Sequence, residues 1–129
     1  MARFLEGALL KISGVYVIAN LRDGRVYVGA SLDIGRRWKE HRAKLRAGRN
    51  EARRLQAAWT EQGPEAFVFA VLEVVYLDRP LLLEREEHWI NQLGADWREF
   101  GYNGPGPRWR WFSDLIPLPP LRRVPPADL

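Results

Sequence analysis

Asp23-Gly24 is a strong two-residue hairpin signal, and it stands between two stretches rich in Val, Ile and Tyr. Residues 14–20 and 25–30 therefore read as the two strands of one antiparallel hairpin. With Asp23 and Gly24 at the turn, Arg22 faces Arg25, Asn20 faces Tyr27, Ile18 faces Gly29 and Tyr16 faces Ser31. Side chains alternate faces along a strand, so Tyr16 and Tyr27 emerge on the same side. Gly29 lies between their rows and has no Cβ, which lets another backbone come close. Strand tyrosines commonly do no more than pack, so other residues must decide whether this surface is chemical.

Helical spacing follows the hairpin. Asp33 is a candidate N-cap, and Ile34, Trp38 and Leu45 mark an apolar stripe that should end near Gly48. Asn50 is a candidate cap for a second helix carrying Leu55, Ala58, Trp59 and Gln62, stopped by Gly63-Pro64. The apolar run 66–75 reads as a central strand, and a third helix begins at Pro80 and ends near Leu93-Gly94. The order is β-β-α-α-β-α. The expected fold class is α+β, with a small antiparallel-rich three-stranded sheet flanked by helices. From Gly104 on, seven of the nine prolines are gathered, which excludes helix and central strand there. The chain thus divides into a 1–103 domain and a 104–129 extended tail.

The charge is concentrated. Between Gly35 and Arg54 stand nine basic side chains against Glu40 and Glu51, although the whole chain of 129 residues carries only +4. The remainder is therefore net acidic, and one basic belt on such a body suits a polyanion. A merely solvated basic helix face would look the same. The absence of cysteine excludes disulfides and thiolate metal sites, leaving oxygen or imidazole ligands for any metal. No apolar run spans a bilayer, and Glu6 and Lys11 interrupt the apolar 4–12 stretch, which speaks against a signal peptide. An intracellular, cytoplasmic protein with no membrane partner is the expectation.

Three side chains join the tyrosines as candidates. Arg37 and His41 are four apart and share a helix face beside the apolar stripe. Arg37 suits a forked phosphate contact, and His41 suits proton exchange near neutral pH. An exposed basic pair is the plain alternative. On the third helix Leu82, Glu86, Trp89, Ile90 and Leu93 share one face, so Glu86 interrupts an apolar stripe. A carboxylate there needs a cation or good hydrogen bonds. A metal ion and an ion pair with Arg37 both satisfy that need. His88 reads as a surface or interface residue, and two histidines are too few for a multi-histidine zinc site.

Taken together, these segments resemble the GIY-YIG nucleases, most of all the catalytic domain of phage-type intron homing endonucleases. Gly14-Val15-Tyr16 and Tyr27-Val28-Gly29 look like the two naming motifs, each with Val for Ile. The stretch 36–41 is similar to the helix that carries the family's Arg and His. The stretch 84–90 resembles its metal-binding helix, and Gly101-Tyr102-Asn103 its closing motif. The resemblance covers residues 14–103. It implies a metal-dependent DNA endonuclease of bacterial or phage origin that uses one divalent cation, Mg2+ or Mn2+. It implies Tyr16 as general base with Tyr27 sharing the role, Arg37 on the scissile phosphate, and His41 bonded to a phenol or passing a proton. Glu86 would be the metal ligand, and Asn103 would order the site. Gly29, Arg36, Lys39, Arg42, Lys44, Arg49 and Arg53 are the expected DNA-contacting positions. A second histidine that some relatives carry after the first helix is absent, and Asn50 stands near that point. Tyrosine titrates near 10 and is a poor base, so nearby positive charge must favour its phenolate.

Two other classes compete with the nuclease. One is a non-catalytic nucleic-acid-binding module. The other is an adaptor that meets a protein partner through the tail, where Pro117 to Arg122 fits a polyproline-reader pattern. Arg108, Trp109, Arg110, Trp111 and Phe112 either dock on the domain or stack on bases.

Overall fold

A computed structural model describes residues 11–104. Residues 1–10 and 105–129 lie outside the described residues, and with them the expected docking, DNA-stacking and partner-binding segments of the tail.

The elements run β1 (Gly14–Asn20), β2 (Val26–Ser31), α1 (Ile34–Ala47), α2 (Arg53–Gln62), β3 (Phe67–Val74) and α3 (Arg79–Leu93). This is the expected β-β-α-α-β-α order. The three strands form one antiparallel sheet in the order β2-β1-β3. β1 is the central strand and is buried along nearly its whole length, on both faces.

The hairpin turn differs from the two-residue turn expected at Asp23-Gly24. Asn20 N–H donates to the Arg25 carbonyl, and Gly24 N–H donates back to the Asn20 carbonyl, so the loop holds four residues, 21–24. Two side chains set its length. Asn20 Oδ1 accepts the Arg22 N–H at 2.9 Å, and Asp23 Oδ1 accepts the Arg25 N–H at 2.9 Å. Gly24 takes the left-handed conformation, φ 78°, that closes the loop. The register consequently moves by two residues: Tyr16 pairs with Gly29, and Ile18 with Tyr27. A shift of two preserves strand parity, so Tyr16 and Tyr27 still share a face.

β3 joins β1 with a register shift between Val15 and Tyr16. At that point β1 and β3 approach so closely that a Cβ on Gly14 would strike the Glu73 carbonyl. The close backbone approach expected at Gly29 thus belongs to Gly14.

Each face of the sheet carries its own core. α1 and α2 cover Tyr16, Ile18, Phe67 and Phe69, burying Ile34, Trp38, Leu45, Leu55 and Trp59. α3 covers Val15, Val17 and Val28 through Leu82, Trp89, Ile90 and Leu93. Burial of each such side chain contributes about 1.5–3 kcal/mol, and period-matched stripes on both sides explain the three-layer arrangement.

Caps position the helices. Asp33 accepts the Arg36 N–H and Gly48 ends α1 in the left-handed region, as expected. Asp78 caps α3 by accepting the Leu81 N–H, and Gly94 closes it. The N-cap of α2 is Ala52 rather than Asn50. Asn50 sits two residues earlier because its side chain bonds elsewhere.

Candidate active site

Tyr16 projects from the middle of β1 beneath α1. Its hydroxyl meets His41 Nε2 at 2.9 Å, and the bond is buried. Trp38 packs edge-on against the Tyr16 ring at 6.2 Å between centroids, and His41 does so at 5.8 Å. Across the pair, Gly29 supplies the space. A Cβ there would fall on the Tyr16 Cζ and hydroxyl oxygen. Tyr27, diagonal to Tyr16 in the register, stands edge-on to His41 at 5.3 Å. Two phenols and an imidazole therefore form one aromatic nest between the hairpin and α1.

The helix places Arg37 and His41 on one face, yet their environments differ. His41 is buried, while Arg37 is half-exposed and reaches the Glu40 carboxylate at 3.0 Å. The ion pair of Arg37 with Glu86, one of the two options for that carboxylate, does not form among the described residues, and Arg37 pairs with Glu40 instead. The Arg37 charge acts on the Tyr16 hydroxyl in the direction of the phenolate. Burial works the other way and raises the Tyr16 pKa, helped by the neighbouring Tyr27 and by the Glu86 charge. Tyr27 is raised for the same leading reason, burial, with Arg37 opposing and Glu86 adding. Burial, with the Arg37 charge next, lowers His41 to about 4, so the ring is neutral at pH 7.

Glu86 approaches from α3. It is half-buried, and burial raises its carboxyl pKa. Its charge raises the pKa of both Tyr16 and Tyr27 although α3 packs on the opposite face of the sheet. Among the described residues it forms no hydrogen bond or ion pair. Among those residues, too, no three His, Asp or Glu side chains gather as a multi-ligand metal cage. A cation held here would have one protein carboxylate as its anchor, a donor set suited to a hard, oxygen-seeking ion such as Mg2+.

Asn103 holds the far edge. Its side-chain amide donates to the Val28 carbonyl and accepts the Val28 N–H, both at 2.8 Å. In effect the amide acts as a one-residue fourth strand on β2. It is reinforced by a parallel bridge between Val26 and Gly101 and by the Tyr102 N–H on the Val26 carbonyl. Val28 lies between Tyr27 and Gly29, so the clasp fixes the stretch of β2 that faces Tyr16.

A model of the GIY-YIG catalytic domain matches residues 12–103. The chain belongs to the GIY-YIG family. It is 35% identical over 91 residues to intron-associated endonuclease 1 of Enterobacteria phage T4, a match covering 70% of this chain and 36% of that protein. The chain thus spans about a third of that relative's length. Among solved structures it is similar to the catalytic domain of homing endonuclease I-TevI, with a TM-score of 0.67 and 33% identity. That match covers 73% of this chain and 99% of the other. A substitution mutant of the same catalytic domain matches with a TM-score of 0.65 and 29% identity, covering 74% and 97%. All six elements of the GIY-YIG fold fall inside the matched segment.

Of the residues singled out in the sequence, this GIY-YIG domain brings together Tyr16, Tyr27 and His41, with the Arg37 and Glu86 charges acting on both phenols, Gly29 beneath the Tyr16 ring and Asn103 bracing β2. The basic positions are spread more widely. Arg36 pairs with Glu40 at 2.8 Å, and Lys39 is exposed on the same helix. Lys44 pairs with Glu51 at 2.6 Å. The Arg42 guanidinium lies over the Phe69 ring at 4.7 Å. Arg49 and Arg53 are exposed where α1 turns into α2 and line a groove of about 570 Å³ with Asn50, Glu51 and Gln56. His88 is exposed beside Trp89, as expected. Sequence reasoning missed two networks. One joins Asn50 to His41 at 3.0 Å. The other links Asn20, Tyr102 and Asp23, at 3.0 and 3.4 Å, and locks the hairpin loop to the closing motif. Only the polar character of Asn50 so near a helix end hinted at the first.

No helix of the described residues is long and apolar enough to cross a membrane.

Proposed function

We propose that this chain is a DNA endonuclease that hydrolyses phosphodiester bonds through tyrosine-assisted attack of water, with one divalent cation, Mg2+ or Mn2+, at Glu86. The observation that carries the reading is the buried Tyr16 hydroxyl on His41 Nε2 at 2.9 Å, within reach of the Arg37 charge. A plain structural tyrosine needs neither a neutral buried histidine nor a half-exposed guanidinium whose charge favours its phenolate.

In this reading Tyr16 first releases its own proton to solvent and then, as the phenolate, takes the proton from the attacking water. His41 holds the phenol oxygen in place, and Tyr27 walls the other side and shares the role. Arg37 binds the scissile phosphate and stabilises the negative charge that grows as the bond breaks, a preorganised electrostatic contribution. Burial raises the Tyr16 pKa, so the phenolate that accepts the water proton forms only when positive charge outweighs that cost. Arg37 is one source. Neutralising Glu86 removes one of the upward pushes on both phenols. When bound, the divalent cation supplies positive charge to the phosphate and its leaving oxygen. Arg36, Lys39, Lys44, Arg49 and Arg53 add affinity for the backbone phosphates without reading sequence.

The test is incubation of the purified chain with supercoiled and branched DNA, in Mg2+, Mn2+ or EDTA. Glu86→Gln should abolish cleavage while DNA binding stays within about threefold of wild type by gel shift, since one acidic residue adds nothing to phosphate affinity. Cleavage that persists in EDTA and in Glu86→Gln refutes the cation assignment. Binding without cleavage under every metal condition favours the non-catalytic module instead.

A further inference from the structure

The Asn50 side chain is 5% exposed, and His41, which it contacts, is 3% exposed. Every polar atom of Asn50 that bears on the argument is fixed by a partner. Its backbone N–H donates to Gln56 Oε1 at 2.9 Å, and its Oδ1 accepts the Ala52 N–H at 2.9 Å. A backbone N–H only donates, so the amide atom facing Ala52 must be the oxygen. The NH2 group therefore faces His41 Nδ1, at 3.0 Å. An amide NH2 also only donates, so Nδ1 must present its lone pair. In a neutral imidazole the single ring proton then sits on Nε2, the atom 2.9 Å from the Tyr16 hydroxyl oxygen.

We infer that Asn50 is a positioning residue that fixes the His41 tautomer with the proton on Nε2, so that His41 donates a hydrogen bond to the Tyr16 oxygen and does not receive the Tyr16 proton. The Arg37 charge favours the phenolate at the same oxygen, so the imidazole donor and the guanidinium act in one direction. Donors favour the phenolate over the phenol. The polarity matters because the opposite tautomer would draw the Tyr16 hydrogen onto the imidazole and make His41 the proton acceptor. Without Asn50 the imidazole is free to turn its proton to either nitrogen.

The catalytic consequence rests on the nuclease reading above, but the tautomer does not. The experiment uses the full chain labelled with 15N at histidine, without DNA or metal, at neutral pH. Long-range proton–nitrogen correlation shows which ring nitrogen carries the hydrogen, and His41→Gln separates the His41 signals from those of the exposed His88. Wild type should show a bare Nδ1 and a protonated Nε2. Asn50→Asp keeps an oxygen for the Ala52 N–H but replaces the NH2 donor with an acceptor, so Nδ1 should gain a proton. Single-turnover cleavage by Asn50→Asp should fall on the order of 10²-fold, in line with loss of a correctly disposed proton-transfer group, with DNA affinity unchanged. Asn50→Asp that cleaves at the wild-type rate overturns the positioning role. A wild-type His41 protonated on Nδ1, or an unchanged tautomer in Asn50→Asp, overturns the tautomer assignment. The nitrogen readout needs no turnover, so a protein that cuts no DNA refutes the functional reading while the tautomer result still decides this one.

Discussion

Adding one methyl group at Gly29 should damage the site more than the fold. The new Cβ of Gly29→Ala would land on the Tyr16 Cζ and hydroxyl oxygen, with Cε1 at 2.9 Å. Tyr16 has nowhere to retreat: it is 1% exposed and wedged between Trp38 and His41. Overpacking of this kind costs about 1–3 kcal/mol. For a domain of this size each kcal/mol lowers the melting temperature by roughly 4–8 °C, so a drop of about 10 °C is expected. The relief must come from moving the phenol, which breaks its 2.9 Å contact with His41. A displacement near 1 Å at a reacting group costs about 10²-fold in rate. Cleavage should be measured well below the lowered melting point, so that unfolding does not contribute. Gly24→Ala is the control. A Cβ at Gly24 meets nothing within 4 Å, but φ is 78°, so the variant should lose about 1 kcal/mol from backbone strain alone and cleave normally. If Gly29→Ala melts and cleaves like wild type, Tyr16 does not occupy the space described, and the donor arrangement around its oxygen falls with it.

The other expectations concern charge. Arg37→Ala should slow cleavage by about 10²-fold or more while leaving DNA affinity nearly intact, as for loss of a transition-state stabiliser; weaker binding with a normal rate would make Arg37 an ordinary member of the basic belt. His41 is held neutral, its pKa lowered by burial to about 4. The unfolded ring, near 6.5, binds its proton first, so the stability it confers is complete above that value. As pH falls from there toward 4, on the order of 3 kcal/mol is lost. Urea titrations between pH 7.5 and 4 should show this slope flattened in His41→Gln, and equal slopes would contradict it. Replacing Arg49, Arg53 and Arg54 with Ala should flatten the log–log salt dependence of duplex binding by about 0.9 for each phosphate contact removed, and an unchanged slope would place the duplex on another surface.

Much of the fold was legible because it rests on short-range chemistry. Asp33 and Gly48 bracket α1 through their own side chain and φ, and the stripe of Ile34, Trp38 and Leu45 needs only helical spacing to be seen. The shared face of Tyr16 and Tyr27 was also legible, since parity survives any even slip of register. The slip itself was not. It depends on Asn20 and Asp23 bonding backbone N–H groups two residues ahead, a local competition that Asp-Gly as a dipeptide does not reveal. Asn50 failed for the opposite reason. Its position two residues before the Ala52 N–H suits a cap, but a partner nine residues back, His41, takes its amide hydrogens. Arg42 reads as one more cation in a basic run, yet the sheet beneath α1 places Phe69 under its guanidinium. Pairings across elements set these outcomes, and no window along the chain contains both partners.

The Glu86 charge acts on the two tyrosines from a helix on the other side of the sheet. Tyr16 points into the core under α1, whereas α3 packs on the other face through Val15, Val17 and Val28. β2 is the edge of the sheet that carries Tyr27 and Gly29. An edge strand with one free side is the least constrained part of a sheet. Here the chain leaving α3 returns to that side: Gly101 bridges Val26, and the Asn103 amide completes both hydrogen bonds of Val28. Leaving those two groups unpaired would cost about 1–3 kcal/mol each. The closing motif therefore serves the site by holding the one strand that both layers must share, and the precision of the Tyr16–Gly29 contact depends on a clasp that touches neither residue.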